Sequence, residues 1–244
     1  MRAVIFAGGK GTRLRPFTVS FPKPLMPLGE TPILEVNLRQ LKHYGFDRVT
    51  LAVGHLAEML HLFVQDGSKF GLMVDYSRED QPLGTAAPLT LIPDLPEHFI
   101  CMNGDLLTTV DFGAFLREHA ASGAAVSVCA HTKEVKIDLG VIESDAGGAL
   151  VDYIEKPTMR YLVSMGIYAF NRCVVDFIPR GEYFDFPQLM LKLRDKGEHV
   201  RIVKTDEYWL DIGRHDDYEQ AQNEFERLRA KFLPDENTKS SRHV

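Results

Sequence analysis

Residues 2–16 read RAVIFAGGKGTRLRP, a short apolar run that leads into a glycine-rich segment. The run at 2–7 has the length and continuous apolarity of a buried parallel strand. The glycines after it let backbone N–H groups approach an anion closely, as in phosphate-binding loops. Ligands of open α/β sheets lie outside the carboxyl ends of the strands, so this junction predicts a phosphate site.

The loop differs from the two best-known phosphate-binding motifs. It lacks the G-K-[ST] ending of a Walker A loop, and Leu14 occupies the third glycine position of the dinucleotide pattern G-x-G-x-x-G. The first acidic residue of the chain is Glu30. The basic residues before it are Arg2, Lys10, Arg13, Arg15 and Lys23. This charge distribution favours a local cationic pocket over a solvated surface loop.

Strands and helices alternate through the first half of the chain. Apolar runs predict strands at 48–53, 72–76 and 98–102, with helical segments between them. Thr31 and Pro32 suit the N-cap and the first position of one of these helices. The alternation predicts a mostly parallel, Rossmann-like sheet with helices on both faces, that is, an α/β fold of three layers.

The second half has a different pattern. Runs at 139–142, 150–154 and 161–170 have strand character with no helix between them. We expect them to be antiparallel additions at one edge of the sheet. The chain is expected to form one domain at 1–232, followed by a polar, disordered tail at 233–244.

Composition restricts the class of function. The chain has 244 residues and a formal net charge of -6, so it lacks the overall basic character of nucleic-acid binders. No apolar run reaches the length of a membrane span. Its three cysteines lack metal-ligand spacing, and Cys101 and Cys129 lie in apolar runs, where buried free thiols are expected. We therefore expect a cytoplasmic protein without nucleic-acid or membrane partners.

The loop also resembles a family signature. Residues 8–16 (GGKGTRLRP), followed by 21–25 (FPKPL), are similar to the signature of the sugar-1-phosphate nucleotidyltransferases. The resemblance implies the nucleotide-diphospho-sugar transferase fold and a backbone loop that wraps the triphosphate of a nucleotide. It implies that Arg13 and Lys23 are catalytic and neutralise charge during transfer.

The same resemblance assigns the nucleotide-binding residues. Residues 81–86 (QPLGTA) look like the base-reading segment of the family, although Ala87 stands where another glycine is usual. The implied nucleotide contacts are Ala7, Gly8, Gly9, Gly11, Thr12, Gln81, Gly84 and Thr85.

Two acidic motifs indicate a metal site. Asp105 ends the segment N-G-D after a buried strand, where a carboxylate can hold Mg²⁺, although an Asx turn is an equal reading of this segment alone. Asp211 lies in W-L-D-I-G, which is similar to a late motif of the family, although a helix cap would also explain it. The resemblance implies that Asp105 and Asp211 share one Mg²⁺ ion.

The sugar phosphate is assigned by resemblance alone. Glu155 and Lys156 match an E-K-P motif, and Gly140 and Gly166 match two glycines of the family. These four residues are the implied sugar-phosphate contacts. Ser164 stands near a position where many members have asparagine, which leaves the sugar open.

The resemblance predicts transfer of a nucleotidyl group from a nucleoside triphosphate to a sugar 1-phosphate, with release of pyrophosphate. The E-x-x-P-L-G-T-A segment at 79–86 looks most like mannose-1-phosphate and heptose-1-phosphate guanylyltransferases, so GTP and a manno-configured sugar phosphate are expected. Thymidylyl, uridylyl or cytidylyl transfer to another sugar remains open, as does a non-catalytic paralogue that only binds sugar nucleotides. The sequence leaves the oligomeric state open, with a homodimer as the candidate assembly.

Overall fold

The computed structural model describes residues 1–236, whose central element is one seven-stranded sheet. The strands are β1 (Arg2–Phe6), β2 (Pro27–Leu28), β3 (Thr31–Pro32), β4 (Arg48–Val53), β5 (Met73–Arg78), β6 (His98–Asn103), β7 (Leu106–Thr108), β8 (Val126–Lys136), β9 (Val141–Ser144), β10 (Leu150–Ile154), β11 (Thr158–Asn171), β12 (Val200–Lys204) and β13 (Trp209–Asp211). The α-helices are α1 (Ile33–His43), α2 (Ala57–Val64), α3 (Phe112–Ser122), α4 (Phe186–Asp195) and α5 (His215–Phe232). Short 3-10 turns include Thr12–Leu14, Lys23–Leu25 and Ala87–Leu91.

The large sheet has the order β12-β8-β11-β6-β1-β4-β5. Its neighbouring strands pair in parallel except at β11, which is antiparallel to both β6 and β8. The mostly parallel sheet is confirmed. The prediction that the three antiparallel strands lie at one edge is wrong, because β11 lies inside the sheet and β9 and β10 form a separate two-stranded sheet. This long strand follows an antiparallel ribbon, so it returns between two parallel neighbours without needing a crossover helix.

Helices cover both faces of the sheet, which confirms the three layers. One core cluster joins the sheet to α1, α2 and α3 through side chains such as Ile5, Leu38 and Phe112. The second cluster joins the opposite face to α4 and the Ala87–Leu91 turn. A third cluster packs α5 against Leu14 and Ile212, so the last helix contacts the end of the glycine-rich segment.

The structure differs from the sequence prediction at the start of α1 and at the start of the predicted tail. The predicted N-cap Thr31 pairs in the short strand β3, and Pro32 is the N-cap of α1. The predicted tail begins at Leu233, but Leu233 is fully buried in the third cluster. The packed region therefore includes Leu233, and Arg39 forms ion pairs with Asp235 and Glu236. Residues 237–244 lie outside the described residues.

The two remaining antiparallel strands form a separate ribbon. β9 and β10 pair only with each other, and every residue of β10 is exposed. Cys101 and Cys129 are buried free thiols, as predicted.

Candidate active site

A cavity of about 860 Å³ opens beside the carboxyl ends of β1, β4, β5 and β6. Its lining includes the whole segment 7–13, together with residues from 77–85. Because parallel strands end at the same edge of a sheet, four separate turns converge here. The sequence predicted this location from β1 alone.

The glycine-rich loop forms one wall of the cavity. Ala7 remains attached to the sheet, since its N–H donates to the carbonyl of Ala52 at 2.8 Å. Gly11 has φ +57°, a left-handed conformation that favours glycine, and its carbonyl accepts from Thr18 Oγ1 at 2.6 Å. The predicted contacts Ala7, Gly8, Gly9, Gly11 and Thr12 therefore all lie on the cavity.

Three of the five early cations line the cavity. They are Lys10, Arg13 and Lys23. Arg15 is exposed and is absent from the lining, while its carbonyl contacts His215 Nε2 at 2.9 Å. The inclusion of Arg2 in the cationic pocket was wrong, because Arg2 starts β1 and thus lies at the opposite end of this strand.

Arg2 has a structural role instead. Its side chain is only 5% exposed, and it donates to Thr50 Oγ1 at 2.7 Å and to Asp94 Oδ1 at 2.8 Å. A buried guanidinium needs such partners because an unpaired buried charge is costly. Arg2 is close to the glycines in the sequence, but the length of β1 separates it from the cavity in the fold.

The two predicted metal acids lie beside each other in the fold. Asp105 follows β6, and Asp211 ends β13, which pairs antiparallel with β7 so that Asp211 is opposite Leu106. The N–H of Ile212 donates to the carbonyl of Asp105 at 3.2 Å. Strand pairing therefore joins residues that are 106 positions apart in the sequence, 211 less 105.

Charges around this acid pair interact. Burial, and then the neighbouring Asp105 carboxylate, raise the pKa of Asp211, while Lys23 and Arg13 act in the opposite direction. Lys23 Nζ forms an ion pair with Asp105 Oδ2, and the side chain of Lys23 is nearly buried. Asp105, Lys23 and Arg13 line the cavity, whereas Asp211 is absent from its lining and interacts with these three charges from beside it.

One oxygen of the acid pair lacks a hydrogen-bond partner. Asp105 Oδ1 is buried and has no hydrogen-bond partner in the described structure. A carboxylate oxygen without a partner, next to a second carboxylate, is a donor set that suits Mg²⁺, which takes one or two protein carboxylates and keeps waters. Within residues 1–236, no cluster of three or more His, Cys, Asp or Glu side chains offers a denser metal site.

The predicted base-reading residues also reach the cavity. Gln81, Gly84 and Thr85 line it, and Gly84 has φ +89°. A Cβ at Gly84 would lie 2.8 Å from the carbonyl oxygen of Phe184, so glycine is required for this close approach.

The predicted sugar-phosphate contacts are not brought together. Gly140, Glu155 and Lys156 belong to the loops around the β9–β10 ribbon, and none of them lines the cavity. Gly166 is nearer, since a Cβ there would lie 2.6 Å from Asn103 Nδ2, and Asn103 does line the cavity. The side chains of Glu155 and Lys156 are exposed.

Sequence reasoning missed some lining residues. Glu79 accepts from the N–H of Leu83 at 3.1 Å and shapes the turn that carries Gln81. Tyr183 comes from the distant segment before α4. Glu79 belongs to the quoted E-x-x-P-L-G-T-A pattern, which was a signal for it, whereas nothing in the local sequence marks Tyr183.

The described residues contain no helix that is both long and apolar enough to cross a membrane.

Comparison with known proteins connects the arrangement of the cavity and its loop to a family. The family model of the nucleotidyl transferases matches residues 2–227. A UTP–glucose-1-phosphate uridylyltransferase of Synechocystis sp. is 35% identical over 241 residues, which cover 91% of this chain and 62% of that protein.

Two further proteins extend the comparison. A mannose-1-phosphate guanylyltransferase catalytic subunit beta of Drosophila pseudoobscura is 32% identical over 224 residues, covering 89% of this chain and 60% of that protein. The chain thus spans about three fifths of these curated relatives, 62% and 60%. The crystal structure of HddC from Yersinia pseudotuberculosis has a TM-score of 0.71 at 23% identity, and the match covers 92% of this chain and 99% of HddC. At this identity the likeness to HddC supports the fold only.

Proposed function

Because this chain belongs to the nucleotidyl transferase family, we propose that it transfers a nucleotidyl group from a nucleoside triphosphate to a sugar 1-phosphate. The products are a nucleoside diphosphate sugar and pyrophosphate. One observation carries the proposal: a glycine-rich backbone loop, three cations and a pair of acids line or adjoin a single cavity.

The reaction brings two anions together, and the cavity supplies the matching charge. Lys10, Arg13 and Lys23 line the cavity wall, in a chain of net charge -6. Positive groups held in place before the reaction stabilise charge that builds up on the leaving group. We assign Arg13 and Lys23 to the phosphates of the nucleotide, with the N–H groups of 8–12 as further donors.

A divalent cation, with Mg²⁺ as the candidate, would be held by Asp105 and Asp211. The unpartnered Oδ1 of Asp105 and the raised pKa of Asp211 are both consistent with a site that gains from a cation. When bound, this ion would supply charge neutralisation at a phosphate. Lys23 pairs with Asp105 and is placed to transfer its hydrogen bond to a phosphate oxygen.

No general base is required. The attacking oxygen of a sugar 1-phosphate is already ionised near neutral pH, so this chain has to bind, orient and neutralise rather than remove a proton. This agrees with a cavity whose lining contains only one histidine, His55, among its described residues.

GTP and a manno-configured sugar 1-phosphate are the substrates we propose to test first. The segment 79–86 supports this pair, as does the name of the Drosophila relative. The Synechocystis relative is named for UTP and glucose, so uridylyl transfer is the main alternative, followed by thymidylyl and cytidylyl transfer.

A screen for pyrophosphate release tests the proposal. The purified chain would be offered GTP, UTP, dTTP and CTP, each against mannose, heptose, glucose and N-acetylmuramate 1-phosphates with Mg²⁺. We expect turnover with one pair, and the Asp105→Asn variant as a matched control should lose it. Binding of a sugar nucleotide without turnover of any pair would instead favour the non-catalytic paralogue. The homodimer and the cytoplasmic location stay predictions.

A further inference from the structure

One part of the cavity is unsuited to phosphate. Its lining includes Glu79 and Asp80, whose charges repel a phosphate group. Glu79 Oε1 would lie 3.2 Å from a Cβ at Gly8, so this part reaches the start of the glycine-rich loop and leaves the later residues, with Lys10 and Arg13, to the phosphates. Arg78 also lines this part, but it forms a 3.1 Å ion pair with Glu58. Of the two ends of a nucleotide, this part of the cavity therefore suits the base rather than the triphosphate.

An exposed aromatic ring borders the same part. Tyr183 lines the cavity, and 61% of its surface is exposed to solvent. Within residues 1–236, its ring makes no aromatic contact of the kind that pairs Phe6 with Phe186. A large ring that faces a cavity and packs against no other ring has a face available for a ligand.

The hydroxyl of this ring is anchored. Tyr183 Oη donates to Asp185 Oδ2 at 2.7 Å. The other oxygen of Asp185 accepts from the N–H and from the Oγ1 of Thr85, at 2.8 and 2.9 Å. Burial alone would raise the pKa of Asp185, but the hydrogen bonds from Tyr183 and Thr85 outweigh it and lower this pKa. One ionised carboxylate thus connects the ring to the loop that carries Gln81 and Gly84.

Backbone contacts support the same connection. The N–H of Ala86 donates to the carbonyl of Phe184 at 2.9 Å, and the N–H of Phe184 donates to the carbonyl of Leu83 at 2.8 Å. Hydrogen bonds therefore connect the segment of Tyr183 to the loop at 81–86, and such connections reduce the ordering cost of binding.

We propose that Tyr183 stacks on the base of the nucleoside triphosphate and that Asp185 is the residue that positions its ring. The inference rests on the proposed function and deepens it. Every nucleobase has a π-face, so stacking strengthens binding of all bases to a similar degree. Selection among bases is then left to polar contacts at the base edge, for which Gln81 is the candidate.

Binding measurements separate the base from the phosphates. GTP, UTP and inorganic tripolyphosphate, each with Mg²⁺, would be titrated into the full chain by calorimetry. Tyr183→Ala should raise the Kd of GTP and of UTP by roughly 5- to 100-fold, which is the usual value of one base–aromatic stack. The Kd of tripolyphosphate, which has no base, should stay within about twofold.

Two variants serve as controls. Tyr183→Phe keeps the ring and loses the hydrogen bond to Asp185. It should raise the Kd of both nucleotides by less than Tyr183→Ala does. Tyr161→Ala removes an exposed ring of β11 that lies outside the cavity, and nucleotide binding should not change.

The inference is overturned if Tyr183→Ala binds GTP and UTP as the wild type does. It is also overturned if Tyr183→Ala raises the Kd of tripolyphosphate by the same factor, because the ring would then act on the phosphates and not on the base. If the wild type binds no nucleotide at all, the proposed function itself is contradicted. If the wild type binds normally and the variant does too, only the role of Tyr183 is contradicted.

Discussion

The cavity wall that we assign to the phosphates (the phosphate end) and the β9–β10 ribbon that we assign to the sugar (the sugar end) are built in different ways. Lys23 is 7% exposed and pairs with Asp105, which is itself joined by a backbone hydrogen bond to Ile212. Glu155 and Lys156 are exposed, on a ribbon whose two strands pair only with each other. The sheet and its hydrogen bonds therefore hold the phosphate end in place, whereas the sugar end has few contacts that do so.

This difference predicts that changes at the phosphate end affect turnover strongly and that changes on the ribbon affect sugar binding alone.

The largest effect is expected at Lys23. Lys23→Ala removes a charge that is aimed at the phosphates, so kcat should fall by roughly 10²–10³, as for loss of one transition-state donor. Steady-state kinetics with the substrate pair found by the screen measure this. Lys69→Ala removes a cation outside the cavity and is the matched control. Near-normal turnover of Lys23→Ala would contradict the preformed phosphate end.

The sheet that supports the phosphate end should also be sensitive to acid. His119 is fully buried, and burial, followed by His98 and Arg201, lowers its pKa to about 4. The unfolded chain takes up this proton near pH 6.5, and the native protein does not until about pH 4. The free energy of unfolding should therefore decrease by roughly 3 kcal/mol as the pH falls through this window.

Urea unfolding at several pH values tests the role of His119. His119→Gln keeps a polar partner for Ser127, which lies 3.0 Å from His119 Nδ1, but it does not titrate. The wild type should lose more stability than this variant between pH 7 and 4. Equal pH dependence of the free energy of unfolding in the two proteins would show that groups other than His119 cause the loss of stability.

A smaller effect is expected on the ribbon. Glu155→Ala should raise the KM for the sugar 1-phosphate by roughly tenfold, because a charged hydrogen bond contributes about 1.5 kcal/mol or more. The Kd of the nucleotide should not change, since Glu155 does not line the cavity. A rise in nucleotide Kd would mean that the two ends are not independent.

The smallest effect concerns stability. Ile142 is 61% exposed on β9, so Ile142→Ala should change the free energy of unfolding by less than about 0.5 kcal/mol. Ile5 is fully buried in β1, and Ile5→Ala should cost roughly 2–5 kcal/mol. Denaturant unfolding of the two variants compares ribbon and sheet directly. A large loss for Ile142→Ala would show that the ribbon is packed.

Much of the fold was predictable because local patterns were strong. Strand β4 begins and ends where its apolar run does. The N-cap of α3 is Asp111, a residue type favoured at this position, and its Oδ1 accepts from the N–H of Ala114 at 2.8 Å. The place of β11 was not predictable, because the order of strands in a sheet depends on contacts between segments far apart in the chain.

By itself, the sequence determined that a glycine-rich loop carrying several cations follows the first strand of a mostly parallel sheet, because glycines, cations and apolar runs act within a few residues of each other. Only the tertiary structure decided which cations face the cavity, that Asp105 and Asp211 meet, and that Tyr183 lies beside the loop at 81–86. These contacts join positions about a hundred residues apart, and the packing of the sheet and its helices, rather than local conformation, selects them.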